Sequence, residues 1–219
     1  MAKVIIFGIG QIAEIAHFYL ENDSVHDVVG FTVDAAFMSE DSFSGLPVVA
    51  YEDIIENYPP DEYSLFIPIS YAKVNKARKE KFLDAKSKGY SLVSYISSKA
   101  TYYGTPVGEN CFIFENNVIQ PFTKIGDNCI LWSGNHIGHH SKIEDHCFIA
   151  SHAVISGSVT LGSLSFVGVN ATIRDNVQIG EENVIGAGSL ILSNTEDRAV
   201  FSPSETEKSR VPSNRLRGI

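Results

Sequence analysis

The chain has 219 residues and a formal net charge of −9. That length is enough for two modest domains, and the acidic balance argues against nucleic acid as a partner, because binding to phosphates depends mainly on Lys and Arg. No segment approaches the length of a membrane span, so we expect no insertion into a membrane.

The first hundred residues alternate strand and helix signals. Strands are predicted at Lys3 to Phe7, Val28 to Val33, Ser64 to Ile69 and Ser91 to Ile96, and helices at Gln11 to Leu20 and Tyr71 to Lys88. The first apolar run is short and a glycine turn follows it, which indicates a strand and not a signal peptide. Alternating elements of this kind favour a small parallel sheet with helices on its faces. We therefore predict an α/β, Rossmann-like domain over residues 1–100.

The first predicted strand ends in Gly8-Ile9-Gly10-Gln11-Ile12-Ala13, which fits the pattern G-x-G-x-x-A. Glycines at such a turn let a phosphate approach the backbone at a helix N-terminus. Asp34, at the end of the second predicted strand, can accept hydrogen bonds from a ribose or a base. About one hundred residues is too short for both halves of a dinucleotide fold, so a ligand with a single nucleotide is favoured over NAD. A tight turn in a scaffold domain is the alternative.

After residue 100 the pattern changes to a repeat of six. Every sixth residue from Val107 to Ile191 is aliphatic, and a small or slim residue follows many of these positions by four. A period of six is typical of a parallel β-helix, in which three hexads complete one turn of a triangular prism. Residues eighteen apart then stack about 4.8 Å from one another. We predict an all-β prism of five coils over residues 101–196, about 24 Å tall, and a basic tail over 197–219.

The three cysteines fit this geometry. Cys111, Cys129 and Cys147 are eighteen residues apart, which predicts one column at an inward corner of the prism. They lack the CxxC spacing of zinc or redox sites, so we interpret them as small buried apolar side chains and expect no metal. Reduced thiols favour a cytoplasmic location.

Histidine is concentrated in one part of the prism. Five of the seven histidines lie between His136 and His152. Imidazole exchanges protons readily near neutral pH, so a histidine in a groove between two β-helices is a natural general base. For His136, His146 and His152 a position on an outer corner, without a chemical role, is the alternative.

With these features together, the chain resembles the bacterial sugar acetyltransferases of the sialic acid O-acetyltransferase type, which include N-acetyltransferases of UDP-4-amino sugars. The resemblance runs from Gly8-Ile9-Gly10 through Asp34 to the last hexads. It implies a Rossmann-like domain that binds the nucleotide sugar and a left-handed parallel β-helix that binds acetyl-CoA. It also implies a homotrimer in which each active site lies between the β-helices of two neighbouring subunits. The implied reaction is direct acetyl transfer to an amino or hydroxyl group of a UDP- or dTDP-amino sugar, in the biosynthesis of surface glycans such as lipopolysaccharide or capsule.

The resemblance also implies a general base. The family stretch I-x-H-[DE]-x-x-I-G-[DE] corresponds to Ile137 to Asp145 and puts His139 at the catalytic position. His140 stands where the family usually has an acid. Either His140 orients His139 or relays a proton for it, or a carboxylate from elsewhere takes the place of the acid. Glu144 and Asp145 are the nearest carboxylates in sequence.

Contacts to both substrates are implied in the same way. On the nucleotide-sugar side they are Gly8, Gly10, Gln11, Ile12, Asp34, Ser70 and Tyr71, with Arg78 as a phosphate contact or a surface charge. On the acetyl-CoA side they are Phe148, Gly157, Gly168, Gly186 and Ala187. In the basic tail, Arg198, Lys208, Arg210, Arg215 and Arg217 are either coenzyme phosphate contacts or solvated charges.

Two other functions stay open. A metal hydratase like the γ-type carbonic anhydrases would hold zinc with three histidines and a water. A trimeric scaffold that binds a nucleotide sugar without turning it over is the non-catalytic alternative.

Overall fold

The computed structural model describes residues 2–203 and 205–215. Its N-terminal part is a five-stranded sheet in the order β3-β4-β2-β1-β5. The strands are β1 (Lys3–Phe7), β2 (Asp27–Val33), β3 (Ser42–Phe43), β4 (Leu46–Ala50) and β5 (Tyr63–Phe66). All pairs are parallel except β3 with β4. Residues 4–7 of β1 are buried, as expected for a parallel strand covered on both faces.

Three helices pack around this sheet: α1 (Gln11–Asp23), α2 (Ile54–Asn57) and α3 (Lys76–Ser87). Single 3₁₀ turns lie at Ala35–Phe37, Tyr51–Asp53 and Ser213–Arg215. The third helix begins later than the predicted Tyr71, because Lys73, Val74 and Asn75 have φ angles of 53°, 52° and 63°, which a right-handed helix does not accommodate. Strands β3 and β4 were not predicted.

The predicted strand from Ser91 to Ile96 is divided between the two parts of the molecule. Leu92 bridges to Leu65 of the sheet, whereas β6 (Tyr95–Ile96) pairs with Phe112–Ile113 in the first coil of the prism. At the other end, β22 (Val200–Phe201) pairs with Val184–Ile185. The prism therefore runs from Tyr95 to Phe201, several residues longer at each end than the predicted 101–196.

The prism has three faces of short parallel strands. Face 1 contains β6, β8 (Phe112–Ile113), β11 (Ile130–Leu131), β14 (Phe148–Ile149), β17 (Phe166–Val167), β20 (Val184–Ile185) and β22. Face 2 contains β7 (Thr101–Tyr102), β9 (Val118–Ile119), β12 (His136–Ile137), β15 (Val154–Ile155), β18 (Thr172–Ile173) and β21 (Leu190–Ile191). Face 3 contains β10 (Lys124–Ile125), β13 (Lys142–Ile143), β16 (Thr160–Leu161) and β19 (Gln178–Ile179). We call the turn from face 1 to face 2 corner 1 (for example 132–135), the next corner 2 (138–141) and the last corner 3 (144–147).

Two features recur in every six-residue repeat: an inward aliphatic side chain and a bend in the backbone. The aliphatic residues of the hexads form one core inside the prism. Between them, every sixth residue has a positive φ: Asn110, Asn116, Phe122, Asn128, Gly134, His140, His146, His152, Ser158, Leu164, Asn170, Asn176, Glu182 and Gly188. Left-handed backbone favours Gly, Asn, Asp and His, so each hexad carries one tight bend as well as one inward side chain.

The cysteine column is confirmed. Cys111, Cys129 and Cys147 are fully buried and unbridged at corner 3. Each thiol lies within hydrogen-bonding distance of a carbonyl oxygen of the next coil, at 3.1 to 3.3 Å. Burial raises the pKa of the Cys111 and Cys129 thiols, so these side chains are structural.

The Rossmann-like domain packs against face 1. The outward residues there include Phe112, Ile130 and Phe148, which share one buried core with Val4 and Phe66 of the sheet. The outward residues of face 3 are instead polar, as at Lys124 and Lys142. The apolar outward column of face 1 therefore decides which side of the prism the first domain covers.

Candidate active site

A cleft of about 490 Å³ lies at the junction of the two domains. The Rossmann-like domain contributes Ile12, Ser70 and Tyr71 to its wall. The prism contributes Trp132, Phe148, Ala150, Ser151, Phe166, Gly168, Val169 and Ala187, from face 1 and corner 1. Residues predicted to contact the sugar nucleotide and residues predicted to contact acetyl-CoA thus line one space.

A second pocket, of about 310 Å³, adjoins this cleft at the glycine turn. It is lined by Phe7, Gly8, Gly10, Gln11, Ile12, Ala13, Pro68, Ile69 and Ser70. Gly8 has a φ of 109°, and a Cβ on Gly10 would meet no atom within 4 Å, so the turn is open toward the N-terminus of α1. A helix N-terminus favours bound anions. Ile12 and Ser70 belong to both spaces.

Asp34 lies near this edge of the sheet but forms an ion pair that the sequence did not predict. Lys81 of α3 donates from Nζ to Asp34 Oδ1 at 2.5 Å. The same ammonium lies 4.8 Å from the ring centroid of Phe7 and 4.1 Å from that of Tyr51, a cation–π arrangement. Asp34 and Lys81 therefore form a charged pair beside the end of β1, and Lys81 joins the candidate nucleotide-binding residues.

Arg78 is not a surface charge, which corrects one of its two sequence interpretations; protein acceptors, and not solvent, surround its guanidinium. Its side chain has no exposed surface. It donates to the carbonyl oxygens of Asn128, His146 and Cys147 on the prism and of Ile69 and Ser70 on its own domain, and to Asn75 Oδ1. Because these acceptors occupy the guanidinium, Arg78 joins the domains. Burial lowers its pKa to about 10, so it stays charged at neutral pH.

Two aromatic side chains dominate the cleft wall. The Tyr71 ring lies 5.0 Å from both Phe148 and Phe166, measured between ring centroids. Phe148 is only 3% exposed and belongs to the core between the domains. It packs against Tyr71, which was predicted to contact the sugar nucleotide, so its own predicted role as an acetyl-CoA contact stays a prediction.

His139 lies at corner 2, exposed to solvent, together with His140. The backbone N–H of His139 donates to Gln120 Oε1 at 2.8 Å. The two imidazoles are perpendicular, with Nδ1 of His139 3.1 Å from Nδ1 of His140. Gly157 follows one coil later, and a Cβ there would lie 2.8 Å from His139 Cε1. Gly157 thus makes room for the imidazole ring, a role independent of any coenzyme.

The other clustered histidines lie elsewhere on the prism. His146 is buried at corner 3, where it hydrogen-bonds to Asn128 and packs against Phe82; burial lowers its pKa to about 4. His152 lies at corner 1, over Gly134, and His136 is on face 2. Within residues 2–203 and 205–215, no three His, Cys, Asp or Glu side chains form a metal-binding group.

The glycines proposed for acetyl-CoA differ in position. Gly168 and Ala187 line the junction cleft, but a Cβ on Gly168 would lie 2.6 Å from the nitrogen of Ala187, so stacking of the coils already requires glycine. A Cβ on Gly186 would lie 2.5 Å from Pro203, and Gly186 does not line the cleft. In the tail, Arg198 pairs with Glu182, Lys208, Arg210 and Arg215 are exposed, and Arg217 lies outside the described residues.

The fold is a Rossmann-like domain followed by a left-handed parallel β-helix, which confirms the predicted fold class. Residues 105–139 and 123–157 match the bacterial transferase hexapeptide (six repeats), and residues 159–193 match the hexapeptide repeat of succinyl-transferase. No curated protein matches the chain. No helix among the described residues has the length and apolar character needed to cross a bilayer.

Solved structures share this two-domain architecture over nearly the whole chain. A variant of perosamine N-acetyltransferase from Caulobacter crescentus, in complex with CoA and GDP-perosamine, is 23% identical, with a TM-score of 0.79 over 95% of this chain and 98% of that one. The acetyltransferase domain of PglB from Neisseria gonorrhoeae is 19% identical, with a TM-score of 0.79 over 93% and 97%. WeeI from Acinetobacter baumannii is 17% identical, with a TM-score of 0.71 over 93% and 97%.

Proposed function

We propose that this protein transfers an acetyl group from acetyl-CoA to an amino group of a nucleotide-linked sugar. The observation that carries the proposal is the junction cleft, where the strand-end residues Ser70 and Tyr71 face Gly168 and Ala187 of the hexapeptide prism. One space therefore adjoins both the glycine turn and corner 1 of the prism, where Gly168 and Ala187 lie. The similar structures that hold CoA with GDP-perosamine, or acetyl-CoA, support this pairing of ligands.

In this proposal His139 is the general base. Its Nε2 takes a proton from the sugar amine as the amine nitrogen bonds to the thioester carbonyl carbon, and returns a proton to the sulfur as the carbon–sulfur bond breaks. Replacing His139 by Ala should lower turnover by at least about a hundredfold, since a positioned base contributes about 10²- to 10⁴-fold. Binding of acetyl-CoA should persist.

The site requires a second copy of the chain. His139 is at corner 2, whereas the cleft opens at face 1 and corner 1, and neither His139 nor His140 lines it. A homotrimer would bring corner 2 of one protomer to the cleft of the next. Mixed assemblies of a His139→Ala protomer with a Tyr71→Ala protomer, assayed at a nucleotide-sugar concentration well below KM, should then be more active than either variant alone. No recovery, in assemblies verified as mixed, would count against a shared site.

The next part of the proposal is which nucleotide is attached to the sugar. We keep UDP- and dTDP-amino sugars as candidates and add GDP-amino sugars, since similar structures hold GDP-perosamine. The Asp34–Lys81 pair offers one acceptor group and one donor group beside the glycine turn.

We also propose a role in bacterial surface glycan synthesis. A cytoplasmic location is proposed as well, because the three reduced cysteines favour it.

The test is release of free CoA from acetyl-CoA in the presence of UDP-, dTDP- and GDP-linked amino sugars, with the matching hydroxyl sugars as controls. Release with an amino sugar, with an acetylated product by mass spectrometry, is the expected result. Binding of a nucleotide sugar without release would instead favour the scaffold. Stoichiometric zinc or iron in protein purified without chelators, together with CO₂ hydration, would favour the hydratase.

A further inference from the structure

The residue after the general base departs from the family pattern, because it is His140 and not an acid. Glu144 and Asp145 are the nearest carboxylates after it in sequence, and both are otherwise engaged. Glu144 accepts from Lys142 Nζ at 2.9 Å, and Asp145 accepts from the backbone N–H of Asp127 at 2.9 Å. Neither carboxylate hydrogen-bonds to His139 among the described residues, so neither replaces the missing acid.

His140 itself makes the contact that the acid would make. Its Nδ1 lies 3.1 Å from Nδ1 of His139, and a hydrogen bond at that distance needs one proton shared between two nitrogens. If His139 is to accept a proton at Nε2, its own proton must lie on Nδ1. Nδ1 of His140 is then the acceptor, and the proton of His140 lies on Nε2.

The ring of His140 is exposed to solvent but has one aromatic neighbour. Its backbone has a φ of 59°, at the bend that every hexad makes. Phe122, one coil earlier at the same bend, packs its ring against the imidazole with centroids 4.8 Å apart. Backbone and neighbour therefore limit the directions in which His140 Nδ1 points.

We propose that His140 is a positioning residue that fixes His139 as its Nδ1–H tautomer, leaving Nε2 free to take the substrate proton. This inference rests on the proposed function. A neutral imidazole acceptor thus takes the place of a carboxylate, and it orients the base without adding a negative charge.

Other hexads show which residue types can replace His140 at a bend with positive φ without a change in the backbone. Asn occupies the same bend at Asn128 and Asn176, and Leu occupies it at Leu164. His140→Asn retains an acceptor oxygen at this position, whereas His140→Leu removes every acceptor. His152→Leu makes the same change at corner 1, with a φ of 60°, and serves as the matched control.

The experiment is nitrogen-15 NMR of histidine-labelled full-length protein, which assigns the tautomer of His139 without any turnover. We expect the Nδ1–H tautomer in the wild type, His140→Asn and His152→Leu, and the Nε2–H tautomer in His140→Leu. Turnover by His140→Leu should fall at least about tenfold, against about 10⁴-fold where a serine-protease base is held in the wrong tautomer, with KM for acetyl-CoA unchanged.

An Nε2–H tautomer in the wild type, or the same tautomer in all four proteins, overturns the proposal. If that happens while His139→Ala still abolishes transfer, the acetyltransferase function survives and only the role of His140 falls. If no acceptor supports transfer, the tautomer result still tests the pairing of the two imidazoles.

Discussion

Arg78 donates from Nη1 to the carbonyl oxygen of Ser70 at 3.0 Å. The same guanidinium donates to the carbonyl oxygens of His146 and Cys147 on the prism. Ser70 lines both the glycine-turn pocket and the junction cleft, so one buried cation ties the wall of the candidate site to the coils.

Replacing Arg78 by Met should destabilise the protein by at least about 3 kcal/mol, because several carbonyl oxygens lose the donor they have now, at about 1–3 kcal/mol for each unpaired group. The measurement is urea unfolding at equilibrium. Lys79→Met, on the same helix, is the control and should change stability by less than about 0.5 kcal/mol. Equal effects of the two substitutions would show that the guanidinium contributes little to docking of the domains.

Replacing Gly157 by Ala should affect catalysis more than folding. The φ of Gly157 is not positive, so Ala fits the backbone, but its Cβ would lie 2.8 Å from Cε1 of His139 and would displace the ring. We expect kcat to fall about 10- to 100-fold, since an error of about 1 Å in position can cost about 10²-fold. Steady-state kinetics measures this, with Ser156→Ala as the control. A normal kcat would show that the ring position set by Gly157 is not critical for the reaction.

The prism could be predicted from the sequence because its two requirements recur in every hexad. An aliphatic side chain must point inward, and one residue must bend with a positive φ. The second requirement also explains part of the histidine cluster, because His140, His146 and His152 occupy that bend. The number of histidines therefore overestimates how many of them are catalytic candidates. A bend with positive φ is enriched in histidine whether or not the residue has a chemical role.

The contact between the domains could not be predicted so directly. Arg78 lies on a strongly charged helix, and charged residues are rarely buried; only the approach of the prism carbonyls makes its burial possible. A usable signal did exist for the docking face, because Phe112, Ile130, Phe148 and Phe166 are eighteen residues apart and point outward. The Asp34–Lys81 pair depends on α3 crossing the end of the sheet, which spacing along the chain does not show.

Replacing Tyr71 by Ala should weaken binding of the sugar nucleotide. The residue is 54% exposed although its ring packs on Phe148 and Phe166, so it can contact a bound sugar. Aromatic contacts are worth about 0.5–1.5 kcal/mol each, and we therefore expect KM for the nucleotide sugar to rise up to about tenfold. KM for acetyl-CoA should not change, and Tyr71→Phe should retain most of the affinity. Tyr103→Ala is the control, since this tyrosine is 66% exposed and does not line the cleft.

Docking of α1 to the start of the prism should weaken in acid. Hydrogen bonds from Ser98 and then Tyr95 lower the pKa of Asp23 from 3.8 to about 2. A carboxyl group whose pKa is lower in the folded state stabilises that state above its unfolded pKa, and the contribution disappears as the pH falls through the folded value. The stabilisation from Asp23 should therefore be complete above about pH 4 and decline toward pH 2.

Asp23→Asn removes the titrating group and keeps one acceptor oxygen, so it isolates this effect. The unfolding temperature of the variant should lie below that of the wild type at pH 6, and the difference should shrink as the pH is lowered toward 3. Asp27→Asn, at the exposed start of β2, is the matched control and should show no such convergence. A difference between Asp23→Asn and the wild type that stays constant from pH 6 to pH 3 would mean that the Asp23 charge does not contribute to docking.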